Sequence, residues 1–232
     1  MRYFVSDLHG EYGLFCRLLD RLHLTPSDTL YIGGDIIDKG EASVRLLKAV
    51  SQMENVRAVL GNHELAFLQY YHSLLQDSPE DFDSVLAQLR AYFPQDGALL
   101  DWELIDWLQE LPSYIEEDDF ILVHAGVPVD REGNLLPLAD ASMEQLVFDR
   151  RFKEPHTAHT SPKCVLFGHT QTDAVCGRPK ILAYVRNRAE RPKTLGDFYK
   201  IHLDTGTWSN GTLGCFCAET LRVIYINKAK DT

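Results

Sequence analysis

Three short apolar runs, Arg2 to Val5, Thr29 to Ile32 and Val56 to Leu60, are each followed by a polar loop and then by a stretch with helical spacing. Leu14, Leu18, Leu19 and Leu22 share one face of the first such stretch, near 12–22, and Val44, Leu47 and Val50 share one face of the second, near 42–52. The third covers about 65–75. Strand, loop and helix repeated three times predict a mainly parallel sheet with helices packed against it. Further strands are expected at 120–124, 164–167, 199–203, 213–217 and 221–226, the last three as an antiparallel meander. Residues 79–111 are helical in pattern and read as an insertion or cap. The run Arg178, Lys180, Arg186, Arg188, Arg191 and Lys193 lacks periodicity and reads as a basic flap over 178–193, either solvated or guiding an anionic substrate. No shift in composition marks a boundary, so 1–232 is expected to be one domain.

The chemistry gathers at the strand ends. "SDLHG" places Asp7 and His9 after the first run, "GGDIIDKG" places Asp35, Asp38 and Lys39 after the second, and "GNHE" places Asn62 and His63 after the third. "VHAG" and "FGHT" add His124 and His169. A single Asp or His in such a place serves as a cap or a satisfied polar group, but five strands delivering them to one end of a sheet call for a joint explanation. Carboxylate, amide and imidazole ligands suit Mn, Fe or Zn, and a central carboxylate such as Asp35 can bridge two ions about 3.5–4 Å apart.

Several classes are disfavoured. A formal net charge of −11 opposes general binding to nucleic acid or to an anionic membrane. No apolar run approaches the ~20 residues that span a bilayer, and the start of the chain reads as a strand rather than a leader, so a cytoplasmic location is expected. The five cysteines form no CxxC pair and are read as reduced, with Cys215 and Cys217 as small core residues on one strand face. No GxSxG elbow occurs, and no cysteine precedes an arginine at the spacing of a cysteine-dependent phosphatase. "GTWSNGT" lacks the lysine of a P-loop.

The five motifs together resemble those of the metallophosphoesterases, in particular the phosphoprotein phosphatase branch with its bacterial and phage members. The resemblance covers residues 5 to about 217. The wider superfamily often has a second histidine two places after that of the "GH" motif, where Gln171 stands here, and its absence favours that branch. "HLDTG" and the strands after it are similar to those of phage phosphatases and diadenosine tetraphosphatases.

This resemblance implies a four-layer α/β/β/α sandwich of two mixed sheets with flanking helices. It implies two divalent ions, manganese first with iron or zinc as alternatives, one held by Asp7, His9 and Asp35 and the other by Asp35, Asn62, His124 and His169. A hydroxide activated by the pair would attack phosphorus in line. His63 would be the general acid, oriented by Asp38, while Arg150, with Arg151 as its neighbour and competitor, and Lys39 would hold the phosphate. The first functional expectation is a serine/threonine protein phosphatase or broader phosphomonoesterase acting on a phosphorylated protein or small phosphoester. The alternatives are a dinucleoside polyphosphate hydrolase and a non-catalytic phospho-binding module. His23, His72, His156 and His159 match no motif and read as surface or structural, and His202 as a neighbour of the site.

Overall fold

The apolar runs pair into two five-stranded sheets. One contains β1 (Arg2–Val5), β2 (Thr29–Ile32), β3 (Val56–Ala58), β9 (Thr212–Cys217) and β10 (Arg222–Asn227), in the order β10-β9-β1-β2-β3. The other contains β4 (Tyr114–Glu116), β5 (Phe120–Val123), β6 (Cys164–Phe167), β7 (Leu182–Val185) and β8 (Phe198–His202), in the order β4-β5-β6-β8-β7. The structure, a computed structural model, describes residues 1–77, 81–93, 96, 98–155 and 157–228. His156 and parts of the expected helical insertion (79, 80, 94, 95 and 97) lie outside the described residues.

Period-two alternation sets the layers. Phe4, Tyr31 and Phe216 from one sheet meet Phe120, Leu122, Leu166 and Ile201 from the other, forming the core between the sheets. The opposite faces carry Tyr3, Val5, Ile32, Cys215 and Cys217, which pack under α1 (Tyr12–Leu22), α2 (Ser43–Ser51), α3 (Asn62–Asp77), α4 (Phe82–Ala91) and α5 (Trp102–Gln109). On the second sheet Ile121, Val123, Val165 and Phe167 pack under α6 (Met143–Val147) and the chain around Phe152. Helix, sheet, sheet and helix layers give the α/β/β/α sandwich. Two one-turn helices, α7 (Asp173–Cys176) and α8 (Thr207–Asn210), follow β6 and β8.

Two sequence expectations are corrected. The strand at 199–203 is not part of a meander: β8 lies parallel to β6 in the second sheet, while β9 and β10 form a hairpin on the edge of the first. Apolar pattern defines a strand but not which sheet receives it. The basic flap also contains β7, an edge strand antiparallel to β8, with Leu182 opposite His202 and Val185 opposite Phe198. Arg178 and Lys180 therefore precede β7 at the end where β6 and β8 finish. Arg186 to Lys193 leave the sheet at the opposite end.

Within each sheet three strands run parallel: β1, β2 and β3 in one, and β5, β6 and β8 in the other. Their carboxyl ends meet at one edge of the sandwich. There Asp7 N donates to Gly34 O at 3.1 Å, and Gly168 N donates to His124 O at 2.8 Å.

Candidate active site

The loop after β2 is shaped by the start of α3. Asp35 N, Ile36 N, Ile37 N and Gly61 N all donate to the buried Glu64 carboxylate, at 2.7–3.0 Å. In return Asp35 Oδ1 accepts from His63 N at 3.1 Å, taking one of the free donors of the helix amino terminus. Gly34 and Gly61 permit the approach, because a Cβ on Gly61 would land on Asp35 N and Oδ1, and Gly34 has a φ of +82°. Among the described residues eight non-glycines have positive φ, and six belong to the motif loops: Asp7, His9, Asp35, Asp38, Lys39 and His169. Concentrated backbone strain of this kind marks functional loops.

Three imidazoles are oriented by backbone carbonyls. His9 Nδ1 donates to Ile37 O at 3.2 Å, His124 Nδ1 to Gly33 O at 2.8 Å and His169 Nε2 to Phe148 O at 3.2 Å. Each therefore turns its other nitrogen, as a lone pair, towards Asp35. His9 Nε2 lies 3.6 Å from Asp35 Oδ2 and His124 Nε2 lies 3.4 Å from Asp35 Oδ1. Burial lowers the pKa of all three, to about 4 for His9 and, with the help of His124, to about 3 for His169. They are neutral and ready to ligate. Burial acts to raise Asp35, but the His124, His9 and His63 rings outweigh it and hold Asp35 below its ordinary value.

Asn62 Oδ1 lies 2.9 Å from both His124 Nε2 and His169 Nδ1, which are 3.2 Å apart. With both rings donating elsewhere, these atoms have no hydrogen to share, and three electron pairs converge on one point. A divalent cation resolves that geometry, so the residues fit a metal. Two groupings have the right separation, His9 with Asp35 and His63, and Asp35 with His124 and His169, and Asp35 is common to both. Asp7 is in neither: its buried carboxylate accepts from Ser6 Oγ at 2.5 Å and from His169 N at 3.1 Å.

His63 Nδ1 and Asp38 Oδ2 are 2.7 Å apart, and His63 Nε2 faces Asp35 Oδ2 at 3.8 Å. Burial works against the imidazolium, but the Asp38 hydrogen bond and the Asp35 charge leave the His63 pKa raised. The bond from His63 is likewise the main cause that lowers Asp38. Lys39 Nζ lies 2.9 Å from His9 Nε2, so its ammonium stands inside the cluster. Arg150 Nη1 reaches Thr170 Oγ1 at 3.4 Å, beside His169, whereas Arg151 is tied to Asp149 through Nε at 2.9 Å and Nη2 at 2.5 Å.

Two residues escaped the sequence reading. Glu64 is the "E" of "GNHE", three places past Gly61, the spacing at which an acid reaches back to a helix start. Asp204 follows β8 as the other site residues follow their strands, and it is buried with Oδ1 accepting from Gly206 N at 2.9 Å. The rule that located the five motifs would have found it had β8 been placed in the second sheet. His202, expected near the site, is buried on β8 with Nε2 donating to Thr170 O. His159 is buried against Tyr199 O, and His23 caps the carboxyl end of α1 in a left-handed conformation.

The sequence profile of the calcineurin-like phosphoesterases matches residues 3–186. The chain belongs to that family. Its members use divalent metals, in keeping with the groupings around Asp35. A symmetrical bis(5'-nucleosyl)-tetraphosphatase of Aggregatibacter actinomycetemcomitans is 34% identical over 132 residues, which are 55% of this chain and 45% of the relative. The chain thus matches less than half the length of that phosphoesterase. A crystal structure described as a candidate diadenosine tetraphosphatase superposes with a TM-score of 0.68 at 18% identity, covering 97% of this chain and 92% of the other. A protein serine/threonine phosphatase from Saccharomyces cerevisiae gives 0.55 at 12% identity, covering 100% and 81%. At such identities these two likenesses establish the phosphoesterase fold alone. Among the described residues no helix is long and apolar enough to cross a membrane.

Proposed function

We propose that this phosphoesterase hydrolyses dinucleoside tetraphosphates. The observation that carries the reading is the identity to a symmetrical tetraphosphatase at a level well above that of any fold-only likeness. Serine/threonine phosphatase activity, the first expectation from the motifs, takes second place because its support here is a likeness of fold. An open groove of about 750 Å3 beside Arg150 and the exposed Phe148 gives room for a nucleoside next to the phosphates.

In this reading His9, Asp35, Asn62, His124 and His169 would hold two divalent ions, manganese first among them, with Asp35 available to both sites and Asp7 adding to the first. When bound, the ions supply Lewis acidity and lower the pKa of the attacking water. His63, kept protonated by Asp38, gives its Nε2 proton to the leaving phosphate oxygen. Lys39 and Arg150 orient the phosphoryl oxygens from two sides, Lys39 as a point charge and Arg150 as a planar fork. Glu64 keeps the loop of Asp35 in place while this happens.

The test is product release with manganese from diadenosine tetraphosphate, a phosphoserine peptide and p-nitrophenyl phosphate. The expected result is cleavage of the tetraphosphate to two molecules of ADP with the highest kcat/KM of the three. Preference for the phosphopeptide would reverse the order of the two readings. Binding of all three without turnover would support a non-catalytic module.

A further inference from the structure

Strand β8 carries a lysine where a core residue is expected. Lys200 is fully buried, and its ammonium donates to Phe152 O at 2.8 Å, Glu154 O at 2.6 Å and Thr157 Oγ1 at 2.6 Å. All three acceptors are uncharged. The rings of Phe152 and Tyr184 stand 5.0 and 4.9 Å from Nζ, with Phe167 and Tyr199 at 6.0 and 5.9 Å. Burying an ammonium whose hydrogen bonds all go to uncharged acceptors is unfavourable, and leucine would satisfy a core position at no such cost. The position calls for a reason beyond packing.

The three acceptors belong to Phe152, Glu154 and Thr157, the first of them two places after Arg150. Thr157 Oγ1 shares its one proton between Phe152 O and Glu154 O, so the three acceptors are tied to one another as well as to the ammonium. Phe152 packs on Gly126 of "VHAG", where a Cβ would collide with the Phe152 Cβ and Cγ. Two places further along β8, His202 stacks on Phe167, as Lys200 lies over it, and holds Thr170 O. Thr170 in turn meets Arg150. Arg150 is exposed and makes no ion pair among the described residues, so nothing charged fixes its guanidinium directly. Its place is set by the two segments that one face of β8 holds.

We propose that Lys200 is a positioning residue for phosphate recognition: by anchoring Phe152, Glu154 and Thr157 from inside the second sheet, it sets the stretch of chain from which Arg150 reaches the phosphate. The inference rests on the reading of Arg150 as a phosphate ligand. It assigns no contact between Lys200 and substrate.

The test is a double-mutant cycle of Lys200→Met and Arg150→Ala in the manganese-loaded protein, with p-nitrophenyl phosphate as substrate and inorganic phosphate as inhibitor. Lys200→Met alone is expected to lower kcat/KM about tenfold, mainly through KM, and to weaken phosphate inhibition by a similar factor. In the Arg150→Ala background the same change is expected to cost less than about twofold, while its effect on Tm stays the same in both backgrounds. Equal losses in the two backgrounds, or a loss in kcat alone, would make Lys200 a core residue without this role. If Arg150→Ala leaves kcat/KM and phosphate inhibition unchanged, the reading of Arg150 fails and the route through it is overturned. Should Lys200→Met not fold, Thr157→Val removes one acceptor from the same anchor and is expected to cost about threefold with the same cancellation.

Discussion

His63 shows how one side chain gets its function from two neighbours. Asp38 at 2.7 Å holds the ring and favours its charged form, and Asp35 adds a second negative charge on the far side. The residue is thereby kept an acid at a pH where free histidine has begun to lose its proton. His63→Asn is expected to slow hydrolysis of an alkyl phosphate by about 10²–10³ and that of p-nitrophenyl phosphate much less, since nitrophenolate leaves without a proton. Asp38→Asn removes the negative charge that helps raise the His63 pKa, so the alkaline limb of kcat for the alkyl phosphate should move to lower pH. Rate–pH profiles of the two variants on both substrates decide it. Equal losses on both, or an unmoved limb, would assign the proton to another group.

At the scale of elements, the site depends on how α3 begins. Four backbone N–H groups converge on Glu64, and without the carboxylate all four would be buried and unpaired. At about 1–3 kcal/mol each, with some relaxation or entry of water, Glu64→Ala should lose about 3 kcal/mol or more. For a chain of this size that is about 6–12 °C in Tm, measured in chelator so that metal does not contribute. A fall of under 2 °C, within about 1 kcal/mol, would show that the loop holds itself. The sequence made α1, α2 and the parallel strands legible because their apolar periods are clean. It also made Asp7, His9, Asp35, Asn62, His63, His124 and His169 legible, because each follows such a strand. It left β4 and β7 unseen: β4 is three residues long and β7 lies in a basic run at a sheet edge, where few apolar residues are needed. Asp204 was hidden for a different reason, since strand pattern carries no information about the partner sheet.

Over the whole molecule, the first sheet supplies Asp7, His9, Asp35 and Asn62, and the second supplies His124, His169 and Asp204, so the cluster exists only when the sandwich is assembled. Its carboxylates crowd one another. Burial, then Asp204 and Asp35, raise Asp7 well above its ordinary value, and burial takes Asp204 up to about 7 with Asp35 adding to it. An aspartate of the unfolded chain titrates near 4, so between about 4 and about 7 the native, metal-free protein holds a proton at Asp204 that the unfolded chain has released. The contribution of Asp204 to stability without metal is therefore fully present below about 4 and is lost as pH rises through that window. A divalent cation supplies the missing positive charge, and at a hundredfold excess over its Kd one site adds about 2.7 kcal/mol, or about 5–11 °C in Tm. Below the raised pKa values protons compete for the same charge. The manganese-induced rise in Tm, measured by calorimetry against chelator, should accordingly be larger at pH 8 than at pH 5.5, and Asp35→Asn should lose most of it. A rise of equal size at both pH values, or one that survives Asp35→Asn, would mean that the cation binds away from the edge where the two sheets meet.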